Sequence, residues 1–184
     1  MFPLGGTGTV VEVVLFCIIK VLLMLYVVQD LEHGMWFELK TKFQSILINI
    51  NYRSVRQAPA YYCQYFDFML KRALDENCNI ICLGDLNINC MANIPTNIRD
   101  IIFINGFDNI INKPTHFDNR TGNYSLFDPI LITDSISIIE SDTLHIDREV
   151  SDHDGTYVTI GCVSVIIQII NVKFGIIDEQ IIFL

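Results

Sequence analysis

The segment that most constrains the fold is an amphipathic helix pattern that leads directly into an apolar strand pattern. Tyr62, Phe66, Met69 and Ala73 recur at helical spacing, and the apolar run NIICL follows at 79–83. A helix that feeds a buried strand favours a sheet with helices packed on its outside. The sequence therefore predicts an α/β or α+β domain.

The patterns on either side of this unit extend the same architecture. Residues 35–52 read as two strands with a turn near Lys42, and Thr96 is a suitable N-cap for a second helix that runs to Ile104, with Gly106 as its C-cap. Further strands are predicted at 108–112, 125–133, 135–141 and 156–161. This order predicts a mixed sheet with outer helices.

Length and charge limit the possible functions. The 184 residues are enough for one domain with a substantial core, and 51% of them are hydrophobic. The formal net charge of -9 disfavours a free-standing nucleic-acid binder, which normally relies on Lys and Arg facing phosphates. A phosphate-directed function would therefore need a metal ion or a partner domain.

The apolar run at residues 9–29 has two interpretations. It is nearly long enough to span a bilayer. However, Glu12 and Lys20 lie inside it, and each would cost about 3 kcal/mol at a bilayer centre. We therefore expect strands or a buried helix here, with membrane insertion as the alternative.

The six cysteines carry no CxxC pair and no regular framework. This pattern favours reduced, structural thiols, and hence an intracellular protein of the nucleus or cytoplasm. A zinc site formed by Cys78, Cys82 and Cys90 is a weaker alternative, because the spacing is unlike that of known structural sites.

The strand NIICL ends in Gly84-Asp85-Leu86-Asn87. In an extended chain, side chains two residues apart share a face, so Asp85 and Asn87 would stand together while Leu86 turns inward. The same residue types are also the commonest turn residues, so these four residues alone favour an ordinary strand exit.

Three other places carry residues suited to phosphate chemistry. With strand alternation, Asp128 would share a face with three apolar residues, Leu126, Ile130 and Ile132. A carboxylate on such a face needs a partner. His153 lies between two carboxylates in the loop SDHD at 151–154, which would raise its pKa. Tyr52-Arg53 ends a predicted strand and offers a phenol and a guanidinium suited to phosphate oxygens.

Taken together, these motifs resemble the endonuclease/exonuclease/phosphatase family. The sequence is most similar to the endonuclease domain of non-LTR retrotransposon (reverse transcriptase) polyproteins. The segments that carry this similarity are, in order, NYRSV, GDLNIN, KPTHF, SLFDPILIT and SDH. The resemblance covers roughly residues 31–160. It implies a deoxyribonuclease I-like sandwich of two sheets with outer helices, metal-dependent phosphodiester hydrolysis, and DNA as the partner.

The resemblance also implies roles for the polar residues. Asp85 would orient or deprotonate the attacking water, and Asn87 would hold that water and a phosphate oxygen. His153 would donate to the developing charge on phosphorus, and Asp128 would orient His153. Asp152 would lie near a bound Mg²⁺ or Mn²⁺, and Tyr52 would contact the scissile phosphate.

The chain also departs from the family pattern. The opening strand with its asparagine, and the later strand that ends in a metal-binding glutamate, cannot be located in the sequence. We therefore expect an N-terminally truncated, incomplete domain with impaired metal binding and weak or absent activity. The expected organisation is an apolar lead at 1–30, the endonuclease-like domain at 31–162 and a divergent tail at 163–184.

Two rival functions stay open at this point. A phosphatase of the same superfamily is one, although the text around GDLN and KPTH argues against it. The other is a non-catalytic or membrane-anchored interaction protein, which rests on residues 9–29 and the missing glutamate. No protein partner is indicated by the sequence.

Overall fold

A computed structural model describes residues 10–17, 35–41, 44–76, 79–91, 96–163, 165–168, 171–173 and 176–178. The described helices are α1 (Pro59–Glu76) and α2 (Asn97–Ile104). The described strands are β1 (Val10–Cys17), β2 (Met35–Thr41), β3 (Ser45–Tyr52), β4 (Ile80–Asp85), β5 (Phe107–Asn109), β6 (His116–Asp118), β7 (Asn123–Ser125), β8 (Ile130–Thr133), β9 (Ile138–Leu144), β10 (Gly155–Val163), β11 (Val165–Gln168), β12 (Asn171–Lys173) and β13 (Ile176–Asp178).

The strands of the described part form two larger sheets and two hairpins. One sheet has six strands in the order β11-β2-β3-β4-β8-β5, and the other has three in the order β1-β10-β9. Strand β4 runs parallel to β3 and antiparallel to β8. The hairpins are β6–β7 and β12–β13.

One hydrophobic core joins these layers. It contains side chains of the six-stranded sheet, of β10 in the three-stranded sheet and of both helices. All six residues of β4 are buried, so both faces of this strand are covered. Helix α1 buries Tyr62, Phe66, Met69 and Ala73, the four positions that its periodicity predicted. The predicted α+β fold with two sheets and helices is confirmed.

The second helix begins and ends close to its predicted bounds. Thr96 occupies the N-cap position with an extended backbone, but its side chain makes no capping hydrogen bond. Gly106 follows the C-cap Asn105 and has a φ of +71°, the left-handed conformation that favours glycine after a helix.

Part of the apolar N-terminal run is described. Residues 10–17 form β1, which pairs antiparallel with β10, and the rest of the run lies outside the described residues. Among the described helices, none has the length and apolar character needed to cross a membrane. Residues 165–168, in the predicted tail, pair with β2 as β11.

The strand predicted at 125–133 is shorter than expected, because β8 begins only at Ile130. Side chains take up the backbone N–H groups before it: Leu126 donates to Asn89 Oδ1, and Phe127 and Asp128 both donate to Thr115 Oγ1. Asp128 thus lies before β8, so the prediction that it belongs to this strand is wrong, although Asp128 is buried like Leu126 and Ile130.

Candidate active site

Strands β3 and β4 end side by side and present the first half of the site. Their register places Tyr52 opposite Asp85 and Asn51 opposite Gly84. Gly84 has a φ of +140°, and a Cβ added there would lie 1.9 Å from the Asn51 carbonyl oxygen. Only glycine allows this close approach, which fixes where Asp85 leaves the sheet.

Asp85 and Asn87 do lie side by side, but not because the chain is extended. Asn87 has a φ of +47°, so the backbone turns after β4. The Asn87 N–H donates to Asp85 Oδ1 at 2.9 Å, and Asn87 Nδ2 donates to Asp85 Oδ2 at 3.1 Å and to the Arg53 carbonyl at 2.8 Å. Both amide hydrogens are thus used, so Asn87 presents its carbonyl oxygen, which can accept from water but cannot donate to phosphate.

Arg53 differs from its predicted role as a phosphate ligand. The residue is buried, and its guanidinium donates to the carbonyls of Leu86 at 2.6 Å and Asn87 at 2.6 Å. It also donates to the carbonyls of Ser54 at 3.1 Å and Gln57 at 2.5 Å. Four of its five donors are therefore engaged. We assign Arg53 to holding the loop after β3 against the loop after β4.

The second half of the site is built around Thr115 and Asp128. Both side chains are buried, and Thr115 Oγ1 donates to Asp128 Oδ2 at 2.6 Å. The same hydroxyl accepts the N–H groups of Phe127 and Asp128. The Thr115 carbonyl accepts the Asp154 N–H at 2.6 Å. Thr115 thus ties the segment before β8 to the loop before β10.

His153 projects from this loop onto Asp128. Its Nδ1 lies 2.8 Å from Asp128 Oδ2, so Nδ1–H donates and the ring orientation is fixed. Burial lowers the pKa of His153, but the hydrogen bond to Asp128 and the charges of Asp128, Asp85 and Asp152 outweigh it and leave the pKa raised. The imidazole is therefore suited to donate a proton near neutral pH.

The two halves meet at His153. The carboxylates of Asp85 and Asp128 and a ring nitrogen of His153 offer atoms that all lie within 4.8 Å of one another. Burial, followed by the charge of Asp128, raises the pKa of Asp85 to about 6. A carboxylate with this pKa is a better base near neutral pH than an ordinary aspartate.

A second histidine, His116, lies beside His153. Their ring centroids are 4.8 Å apart, and the His116 ring stacks on Phe127 at 4.8 Å. His116 Nε2 lies 3.9 Å from Asp152 Oδ2. Burial and the nearby charge of His153 lower the pKa of His116.

Of the predicted site residues, Asp85, Asp128 and His153 converge, and Asn87 joins them through its hydrogen bonds to Asp85. Tyr52 lies opposite Asp85 in the pairing of β3 with β4, and Asp152 groups with His116 and His153. Asp154, the other carboxylate of the SDHD loop, instead pairs with Arg148 Nη2 at 2.8 Å. Sequence reasoning missed Thr115 and His116 as site residues, although both stand in the KPTHF text that carried the resemblance.

The donor atoms suit a divalent metal ion. Carboxylate oxygens are the ligands that Mg²⁺ and Mn²⁺ prefer, and the described groups of possible ligands are Asp85 with Asp128 and His153, and His116 with Asp152 and His153. Within the part of the chain that the structure describes, neither group includes a glutamate.

The fold is shared with known proteins. Solved structures of the endonuclease/exonuclease/phosphatase family have the same architecture, and the chain has the fold of that family. No protein-family model matches the chain, and no curated protein matches it in sequence.

Among similar structures is the endonuclease domain of TRAS1, a telomere-specific non-LTR retrotransposon, at 15% identity and a TM-score of 0.55 over 69% of this chain and 63% of that one. The Xenopus laevis APE2 catalytic domain is similar at 16% identity and a TM-score of 0.51, with 70% of this chain and 55% of that one covered. A family protein from Leptotrichia buccalis is similar at 20% identity and 0.50, with 67% and 52% covered. The match thus extends over less than two thirds of each of these structures.

Proposed function

We propose that this chain hydrolyses phosphodiester bonds in DNA, as an endonuclease-like domain of retroelement origin. The observation that carries the proposal is the convergence of Asp85, Asp128 and His153 within 4.8 Å at the ends of the sheets. The similarity to the TRAS1 endonuclease domain supports the retroelement origin, together with the NYRSV, KPTHF and SLFD text.

The geometry supports a proposed role for each residue. Asp85, with a pKa of about 6, accepts a proton from the attacking water, and the Asn87 carbonyl oxygen accepts a second hydrogen bond from that water. His153 donates to the phosphate oxygens, where negative charge develops. Asp128 keeps His153 protonated and oriented, and Thr115 holds Asp128.

A divalent ion would be held at Asp152, with water completing its coordination. When bound, Mg²⁺ or Mn²⁺ would supply positive charge against the phosphate. Because no described glutamate joins Asp152 and the net charge is -9, we propose that binding is impaired and that activity is weak.

The test is conversion of supercoiled plasmid to nicked circles with Mg²⁺ or Mn²⁺. We expect slow nicking by the natural chain and a loss of about 10²-fold or more in Asp85→Ala and His153→Ala, as removal of a general base or acid predicts. His145→Ala is the matched control, because this exposed histidine pairs with Asp154 outside the site.

Two outcomes would contradict the proposal. Equal nicking by the natural chain and both site variants would show that this cluster does not cleave DNA. Fast nicking that both variants abolish would overturn the weak-activity part alone.

A further inference from the structure

A second group of metal-ligating side chains shares His153 with the cluster of Asp85 and Asp128. His116, Asp152 and His153 each offer one ligand atom, and these atoms all lie within 4.8 Å of one another. Their backbones are held together by the bridge between His116 and His153 and by the hydrogen bond from Phe117 N–H to the Asp152 carbonyl at 3.1 Å. The spacing is therefore set by the fold as well as by side-chain rotamers.

His153 is already arranged as a metal ligand. Its Nδ1 is committed to Asp128 at 2.8 Å, so the nitrogen left for a ligand is Nε2. A histidine that binds metal nearly always donates its other N–H to a carboxylate or carbonyl, which fixes its tautomer and strengthens the ligand.

His116 can contribute its Nε2 without losing another contact. Its Nδ1 is buried and has no hydrogen-bond partner among the described residues. Moving the ring proton to Nδ1 therefore breaks no hydrogen bond there and leaves Nε2 free to bind a metal ion. Asp152 Oδ2 lies 3.9 Å from this nitrogen. The stack on Phe127 limits rotation of the ring.

The group is accessible from solvent. The Asp152 side chain is 50% exposed, and a cavity of about 350 Å³ opens beside it. The lining residues of this cavity are His116, Phe117, Asp118, Asn119, Arg120 and Asp152. An ion could therefore enter, and water could complete its coordination.

We propose that His116, Asp152 and His153 bind a divalent transition-metal ion, with Zn²⁺ as the best match. Two imidazoles and one carboxylate form a donor set that zinc accepts, whereas Mg²⁺ prefers oxygen ligands throughout. Tetrahedral zinc with bonds of about 2.0–2.2 Å places its ligand atoms about 3.4 Å apart, so these atoms must close by up to about 1.4 Å. The half-exposed Asp152 contributes to this closure by changing its rotamer.

This site goes beyond the proposed hydrolysis, because an ion on His153 Nε2 occupies the nitrogen that would donate to phosphate. Zinc binding would therefore block that donation and inhibit the reaction. Since the binding itself needs no DNA, it can be measured whether or not the chain cleaves DNA.

The experiment is calorimetric titration of the full chain with Zn²⁺, paired with visible and near-ultraviolet spectra of the chain loaded with Co²⁺. We expect one tight site whose affinity falls at least about tenfold in His116→Gln and in Asp152→Asn, since loss of even an outer-shell partner costs about 10–100-fold. His145→Gln, which removes an imidazole outside the group, should bind like the natural chain. The Co²⁺ spectrum should lack thiolate charge-transfer bands.

Unchanged affinity in both His116→Gln and Asp152→Asn would overturn the proposal. So would the absence of binding, or strong thiolate bands that assign the ion to cysteines. A chain that binds zinc as expected but never nicks plasmid would defeat the proposed function and leave this site intact.

Discussion

The two halves of the site are held in place by different means. The half at the ends of β3 and β4, with Gly84, Asp85 and Asn87, is positioned by sheet pairing and by a close backbone approach. The half made of Thr115, Asp128 and His153 is positioned by side-chain hydrogen bonds between loops. Added side-chain volume should therefore destabilise the strand half most, and loss of a single polar atom should destabilise the loop half most.

The largest expected effect is in the strand half. In Gly84→Ala the new Cβ would lie 1.9 Å from the Asn51 carbonyl oxygen, so β3 and β4 must separate at the site. We expect a loss of about 3 kcal/mol or more in the free energy of unfolding, measured by urea denaturation. Gly106→Ala is the control, because its φ of +71° is also positive but nothing lies within 4 Å. Equal losses in both variants would mean that the approach to Asn51 is not what requires glycine.

The loop half should respond to one hydroxyl. Thr115→Val keeps the shape of the side chain but removes the donor to Asp128 and the acceptor of two backbone N–H groups. We expect a loss of about 2–3 kcal/mol in the free energy of unfolding, because buried polar groups are left unpaired. Thr115→Ser, which keeps the hydroxyl, should lose far less, and similar losses in the two variants would contradict this role for the hydroxyl.

Removal of one charge should stabilise the strand half. Burial raises the pKa of Asp85 to about 6 in the folded chain, whereas the unfolded value is near 4. The protonated carboxyl therefore contributes stability that is fully present below about pH 4 and is lost as the pH rises through about 6. Asp85→Asn should therefore raise the free energy of unfolding at pH 8 by roughly 1–3 kcal/mol and have little effect at pH 4. Thermal unfolding at both pH values checks this, and a variant that is less stable at pH 8 would refute it.

The smallest effect is a change in one titration. In Asp128→Asn, the partner that raises the pKa of His153 loses its charge, so that pKa should fall. The His153 ring signals in an NMR pH titration measure it directly. Asp142→Asn, which changes an exposed aspartate paired with Lys113, should leave the His153 titration unchanged. An unshifted His153 in Asp128→Asn would show that Asp85 and Asp152 set its charge.

The two halves also differ in how far the sequence predicted them. Helical spacing and an apolar run located α1 and β4, because burial imposes those periodicities directly on the sequence. The pairing of Asp85 with Asn87 was predicted from an extended chain, yet it arises from a turn at Asn87. The prediction of adjacent side chains was correct, and its reason was wrong.

The loop half could not be predicted from periodicity. Thr115 and Asp128 are 13 residues apart, and the hydroxyl that joins them takes backbone N–H groups which the strand pattern assigned to a sheet. Only the resemblance to a family brought Asp128 and His153 together. Arg53 shows a related limit of sequence-based prediction. The sequence alone does not tell whether an arginine donates to backbone carbonyls, as Arg53 does, or to a phosphate.

The position of β4 in the middle of the six-stranded sheet has a consequence for hydrogen exchange. Ile81, Cys82 and Leu83 pair with both β3 and β8, so their amides should exchange only when the whole domain unfolds. The loop that carries His153 is held mainly by single hydrogen bonds, and it can open at lower free energy. Asp85 would then keep its place through each local opening, and the loop would close again onto a carboxylate that had not moved.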